Sequence, residues 1–150
     1  MSVSRIDHVG INTSDFARSI AFYRDLLGLR ILAEGTYNDS ETAALLGLES
    51  VELQIADLDS GDGRVVELIE YRKPKGARVG FRLYDWPVMH LAFTVDDLSG
   101  VRDRLVGAGV TIISNHPITI HDPGGAFDRA TCLYIQAPEG VILELVQRPE

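Results

Sequence analysis

The sequence predicts an α+β fold built from two βαβββ modules, and three observations carry that expectation. An internal repeat comes first: His8 and His90 stand 82 residues apart in matching contexts, His8-Val-Gly-Ile-Asn-Thr-Ser-Asp15 and His90-Leu-Ala-Phe-Thr-Val-Asp-Asp97. In each, an aspartate seven residues on opens a helix-like stretch. Each half then closes on a similar strand, Val66-Glu67-Leu68-Ile69 and Leu143-Glu144-Leu145-Val146. Between those landmarks the apolar spacing changes in the same order in both halves: strand, helix, then three strands.

In the first half, residues 5–12 read as a strand. Asp15 suits a helix N-cap, because its carboxylate can accept the free N–H groups of the first turn. Phe16, Ile20, Tyr23, Leu26 and Leu27 come next at helical spacing, and Gly28 is the expected C-cap. Residues 30–37 and 51–58 read as strands, with a short extra helix at 41–48 that the second half lacks. Asp59-Ser-Gly-Asp-Gly63 is a turn, and 65–71 the closing strand. Residues 72–80, rich in Lys, Arg, Pro and Gly, link the halves. The second half offers a strand at 88–95, an N-cap at Asp97 and a helix stripe of Leu98, Val101, Leu105 and Val106 ended by Gly107 and Gly109. Strands at 111–114, 130–136 and 141–147 complete it, with a polar loop at 115–129 and a turn at Ala137-Pro-Glu-Gly140. Each half is too small, and too one-sided in its apolar pattern, to stand alone, so one domain of module 1 (about 1–75) and module 2 (about 85–150) is expected.

Composition narrows the function classes. The chain has 150 residues, 45% hydrophobic and 24% charged, as a globular protein does. A net charge of −8 argues against a nucleic-acid backbone as partner. The single cysteine, Cys132, allows no intrachain disulfide and suits a reducing compartment. No apolar run reaches the roughly 20 residues of a membrane span, and no leader is visible. A cytoplasmic protein without membrane contact is the expectation.

Strand alternation shows where the chemistry points. Val9 and Ile11, like Leu91, Phe93 and Val95, have the parity that packs on a helix. His8, Gly10 and Asn12, like His90, Ala92 and Thr94, take the other face. Glu67 and Glu144 share that other parity, opposite Leu68, Leu143 and Leu145. Two imidazoles and two carboxylates on the concave face of a curved sheet form a candidate ligand set for one divalent metal. The small neighbours Gly10 and Ala92 leave room for a ligand.

The motifs Asp7-His8-Val-Gly-Ile, Ser19-Ile-Ala-Phe-Tyr23 with Leu27-Gly-Leu29, Val66-Glu67-Leu68, His90-Leu-Ala-Phe-Thr-Val-Asp-Asp97 and Ala137-Pro-Glu-Gly-Val-Ile-Leu-Glu144-Leu span nearly the whole chain. Together they resemble the vicinal oxygen chelate superfamily of glyoxalases, epimerases, extradiol dioxygenases and bleomycin- or fosfomycin-resistance proteins. The resemblance implies paired βαβββ modules forming one cup-shaped mixed sheet with flanking helices, around a metal. It implies His8, Glu67, His90 and Glu144 as metal ligands. A full His, Glu, His, Glu set resembles glyoxalase I-like and methylmalonyl-CoA epimerase-like members, although epimerases often carry Gln where Glu67 stands. The turn here is Ala-Pro-Glu-Gly, where the family usually has Asp-Pro-Asp-Gly.

That likeness implies a metal-dependent isomerase or lyase acting by proton abstraction on a small substrate chelated through two oxygens. A carbonyl compound so chelated becomes acidic, and a carboxylate beside the metal can take the proton. Glu144 is the favoured base, Glu67 the next. Nickel, cobalt, zinc or manganese is expected ahead of iron, and a homodimer is expected because family members usually pair. Alternatives are an iron-dependent dioxygenase, whose open coordination positions four protein ligands would crowd, and a non-catalytic protein that sequesters a drug or metabolite. No short motif for glutathione or CoA is present.

Other residues carry weaker expectations. His121-Asp122-Pro-Gly-Gly125 reads either as a hinged lid, with His121 or Arg129 reaching substrate, or as an ordinary surface loop. Trp86, shortly before the second ligand strand, is a candidate for the pocket mouth, with core packing the default. Glu49 is a surface charge near where epimerases can place an acid/base residue, and Glu52 and Glu70 are solvated strand positions. His116 is a turn residue. Cys132, in a strand with no base beside it in sequence, is not a nucleophile candidate.

Overall fold

The structure, a computed structural model, describes residues 3–80 and 82–149. The chain divides into two compact units, Met1–Arg78 and Val79–Glu150, and the boundary falls inside the expected linker. Module 1 runs β1 (His8–Thr13), α1 (Phe16–Ile20), β2 (Arg30–Tyr37), α2 (Ser40–Leu45), β3 (Glu52–Asp59) and β4 (Val65–Lys73). Module 2 runs β5 (His90–Thr94), α3 (Leu98–Gly107), β6 (Thr111–Ile112), β7 (Ile118–Thr119), β8 (Thr131–Gln136) and β9 (Ile142–Gln147). Among the described residues no helix is long and apolar enough to cross a membrane.

The strands form two hydrogen-bonded sheets, one in each module, where the resemblance implied a single sheet. Their orders are β1-β4-β3-β2 and β5-β9-β8-β6, with β7 also paired to β8. In both, the first strand lies parallel to the last, β1 on β4 and β5 on β9, and every other pairing is antiparallel. A parallel pair needs a long crossover, which the helix and the intervening strands supply. The mixed sheets with few helices are the α+β class the repeat predicts.

Each opening helix starts where its aspartate caps it. Asp15 accepts from Arg18 N at 3.1 Å and Asp97 from Gly100 N at 2.9 Å. After Ile20 the first helix widens into a π-helical turn, Ala21–Leu26, with Leu27 N bonded to Phe22 O at 3.1 Å. The wider turn rotates the apolar stripe. Phe16, Ser19, Ile20, Phe22 and Tyr23 are buried, while Leu26 and Leu27, expected in the stripe, are half-buried. Gly28, at φ +80°, then lets Leu29 N reach Tyr23 O.

The segment 115–129 is not wholly a loop. Ile113 N and Ser114 N both bond to Tyr134 O, so β6 stops after two paired residues and bends away from β8. The chain returns as β7, which pairs Ile118 with Cys132 and Thr119 with Thr131. Residues 120–130 are then braced by main-chain bonds from Ile120 N to Ala130 O, from Arg129 N to Ile120 O, and from Asp122 N to the Asp128 carboxylate. Arg148 adds a bond to Ala126 O and stacks over Phe127 at 4.6 Å.

Burial alternates with the expected parity in β1, β4 and β5, whereas β9 is buried on both faces, Leu143 and Leu145 fully. On the other face of module 1, Ala43 and Leu48 pack against Leu53, Ile55, Ile69 and Tyr71, so the α2 region covers the sheet beyond Glu67. In module 2 the matching cover comes from Ile120 on Cys132, Ala130 and Val146. Removing the α3 cap by Asp97→Ala should cost about 1 kcal/mol in urea unfolding. Leu145→Ala, which opens a cavity in the sheet core, should cost about 2–5 kcal/mol. Equal losses for the two would show that the cap does more than terminate a helix.

Candidate metal centre

The parallel pairing of first and last strands sets the same arrangement twice. Gly10 lies opposite Glu67, and Ala92 opposite Glu144. In both modules the glutamate therefore pairs with the residue two beyond the histidine, and strand alternation puts all of them on one face. At Gly10 a Cβ would stand 3.8 Å from a Glu67 carboxylate oxygen and 3.4 Å from the Ile69 side chain. Glycine there keeps the carboxylate open.

In module 1, His8 Nδ1 lies 3.0 Å from Asp7 Oδ1, and among the described residues Nε2 has no hydrogen-bond partner. That bond raises the His8 pKa first, with Glu67, Asp7 and Asp57 charges adding to it against some desolvation. The Glu67 carboxyl is also held above its ordinary value, by burial foremost. The nearby imidazole opposes that rise, and the Asp57 charge reinforces it. Asp57 lies directly opposite Glu67 on β3.

Module 2 gathers its pair more tightly. His90 Nε2 is 3.2 Å from Glu144 Oε2, and Glu144 is only 9% exposed. Tyr134, opposite Glu144 on β8, brings its hydroxyl to 3.4 Å from His90 Nε2. Its ring meets the imidazole edge-on, with centroids 5.2 Å apart. The Tyr134 hydroxyl and the Cys132 thiol both lie close enough to the Glu144 carboxylate to feel its charge. Burial first, and then the Glu144 charge, push the phenol up to about 12. Burial, then the Glu144 carboxylate, push the thiol up to about 11. Cys132 stays a buried, protonated thiol, as its lack of a neighbouring base suggested.

Among the described residues no three His, Cys, Asp or Glu side chains form one metal-holding group, so the structure shows two His–Glu pairs. Their chemistry fits a divalent ion. Imidazole nitrogen and carboxylate oxygen are the donors zinc, nickel, cobalt and manganese accept. The Asp7–His8 contact is the carboxylate–histidine arrangement that fixes a ligating ring. The 3.2 Å between His90 Nε2 and Glu144 Oε2 brings one nitrogen and one oxygen donor atom side by side.

The weaker candidates fall elsewhere. Trp86 is 95% exposed, four residues before His90. His121 and Arg129 belong to the braced segment, and Arg129 has a left-handed φ of 59°. Among the described residues none of the three is hydrogen-bonded or ion-paired to the His–Glu pairs. Glu49 and His116 are exposed, while Glu52 and Glu70 are half-buried strand residues. Asp57 and Tyr134 were not anticipated. Their signal was available, because each stands ten residues before its glutamate across a hairpin in the same repeat.

The chain belongs to the Glyoxalase/Bleomycin resistance protein/Dioxygenase superfamily, whose model matches residues 5–145. A Vibrio cholerae protein named as a probable lactoylglutathione lyase is 26% identical, over 100% of this chain and 95% of its own. A glyoxalase family protein from Bacillus cereus has the same fold, with a TM-score of 0.84 at 20% identity, covering 98% of this chain and 95% of the other. The trypanothione-dependent glyoxalase I of Leishmania major has a TM-score of 0.65 at 21% identity, covering 97% and 87%.

The Glu67 shift makes a pH-dependent prediction. An acid whose folded pKa is raised costs nothing below its unfolded pKa and destabilises the fold once pH passes the folded value. In metal-free protein, Glu67→Gln should therefore raise Tm at neutral pH, with the gain fading as pH falls to about 4. A lower Tm at neutral pH would mean that attraction to His8 outweighs burial.

Proposed function

We propose that this chain is a divalent-metal-dependent isomerase or lyase of the glyoxalase or epimerase type. The supporting observation is the repeated register that sets His8 with Glu67, and His90 with Glu144, on one face of each sheet. In this reading one nickel, cobalt, zinc or manganese ion is held by His8, Glu67, His90 and Glu144, two ligands from each module. Bound there, the ion would polarise a substrate carbonyl and make the adjacent C–H acidic.

The chain's own residues then move the proton. Glu144 or Glu67 takes it from the substrate carbon, and the same or the other carboxylate returns it. The family resemblance favours Glu144. The structure adds that Glu144 lies 3.2 Å from His90 Nε2, while burial and Asp57 hold the Glu67 carboxyl above its ordinary value. Both therefore stay in the proposal as acid/base residues. Trp86, His121 and Arg129 are proposed substrate contacts, and Trp86 precedes a ligand strand by only four residues.

The substrate class is a small molecule with two chelating oxygens. The name of the Vibrio cholerae relative makes lactoylglutathione the first compound to try. A homodimer accompanies this reading, supported by the position of β1 and β5 at the ends of their sheets, where an unpaired strand edge can take a partner. A cytoplasmic location fits the single buried thiol.

Metal analysis tests the proposal most directly. Protein purified without chelator should carry close to one equivalent of nickel, cobalt, zinc or manganese, and the His8→Ala, His90→Ala double variant should carry none. Glu67→Gln and Glu144→Gln should each slow substrate deuterium exchange by about 100-fold or more. Iron in place of these metals would favour the dioxygenase reading. Protein that refuses every divalent ion would leave a metal-free binding protein.

A further inference from the structure

We infer that Tyr134 is the positioning residue of the module 2 half-site, holding Glu144 and His90 in the arrangement that receives a divalent cation. This role rests on the metal-binding reading and goes beyond its four ligands. The geometry carries it. Tyr134 is fixed opposite Glu144 by the β8–β9 register, so its side chain emerges beside the carboxylate on the same face. Its hydroxyl reaches 3.4 Å from His90 Nε2, the nitrogen that itself lies 3.2 Å from Glu144 Oε2, while its ring braces the imidazole edge-on at 5.2 Å. One side chain thus contacts one candidate ligand and stands directly across the strands from the other.

The repeat supplies a comparison within the molecule. At the equivalent place in module 1, opposite Glu67, stands Asp57, which can donate no hydrogen bond when ionised. There the histidine is oriented from its other side, by Asp7 on Nδ1 at 3.0 Å. Module 2 has Met89 before its histidine and cannot use that device. Tyr134 replaces it. In this role the phenol stands beside the Glu144 carboxylate as a donor that is not itself a ligand, and the ring limits rotation of His90. Partners of this kind typically set metal affinity by about 10- to 100-fold without being ligands.

The test compares the metal-stripped wild type with Tyr134→Phe, Tyr134→Gln and His90→Ala, using Zn2+ affinity by chelator competition and the Co2+ absorption spectrum. Tyr134→Phe keeps the ring and the packing, so the metal-free Tm should hold. Its Zn2+ affinity should fall about tenfold or more, and its Co2+ bands should shift. Tyr134→Gln, which restores a donor without the ring, should recover part of that loss. If Tyr134→Phe unfolds, the Gln variant against wild type decides. Unchanged affinity and spectrum in a variant that folds, beside a wild type that binds metal, would overturn the role of Tyr134 alone. A wild type that binds neither ion would overturn the metal reading and this inference with it.

Discussion

The parallel pairing of the first and last strand within each module is the constraint on which the candidate centre depends. It can form only after a helix and two or more strands have carried the chain back to the starting edge. Once formed, it fixes register, and a slip of one residue would turn every side chain of one strand to the other face. The buried leucines of β4 and β9 hold that register, because Leu68, Leu143 and Leu145 cannot face solvent without losing their burial. Histidine and glutamate are thus brought to one face by apolar residues that take no part in the chemistry.

The two modules solve the same packing problem with different parts. Module 1 covers the sheet beyond Glu67 with the α2 region, while module 2 covers the sheet beyond Glu144 with Ile120 and its braced segment. The neighbours of each glutamate differ more. Asp57 places a second negative charge by Glu67, where Tyr134 and Cys132 place a hydroxyl and a thiol near Glu144. The two halves thus share a His–Glu pair on one face and differ in what surrounds it.

Much of this could be read in the sequence because it depends on local pattern. The caps at Asp15 and Asp97, the strands around Glu67 and Glu144, the extra helix before β3 and the linker near Arg78 all come from spacing and turn residues. The π-helical turn after Ile20 did not, since five-residue bonding leaves no mark distinct from an ordinary amphipathic stripe. β7 was missed because two paired residues in a polar stretch are too short to show a period. Its existence depends on β8 offering an open edge.

By itself the sequence determined the α+β class, the duplicated module and the four residues of ligand type, since each rests on composition, repetition and alternation along the chain. The tertiary structure decided which side chains meet those four. Tyr134 and Asp57 stand ten residues from their glutamates, and only hairpin register makes them neighbours. Hydrogen bonding and charge act over a few ångströms of space, whatever the distance along the chain, so the environment of each carboxylate had to await the fold.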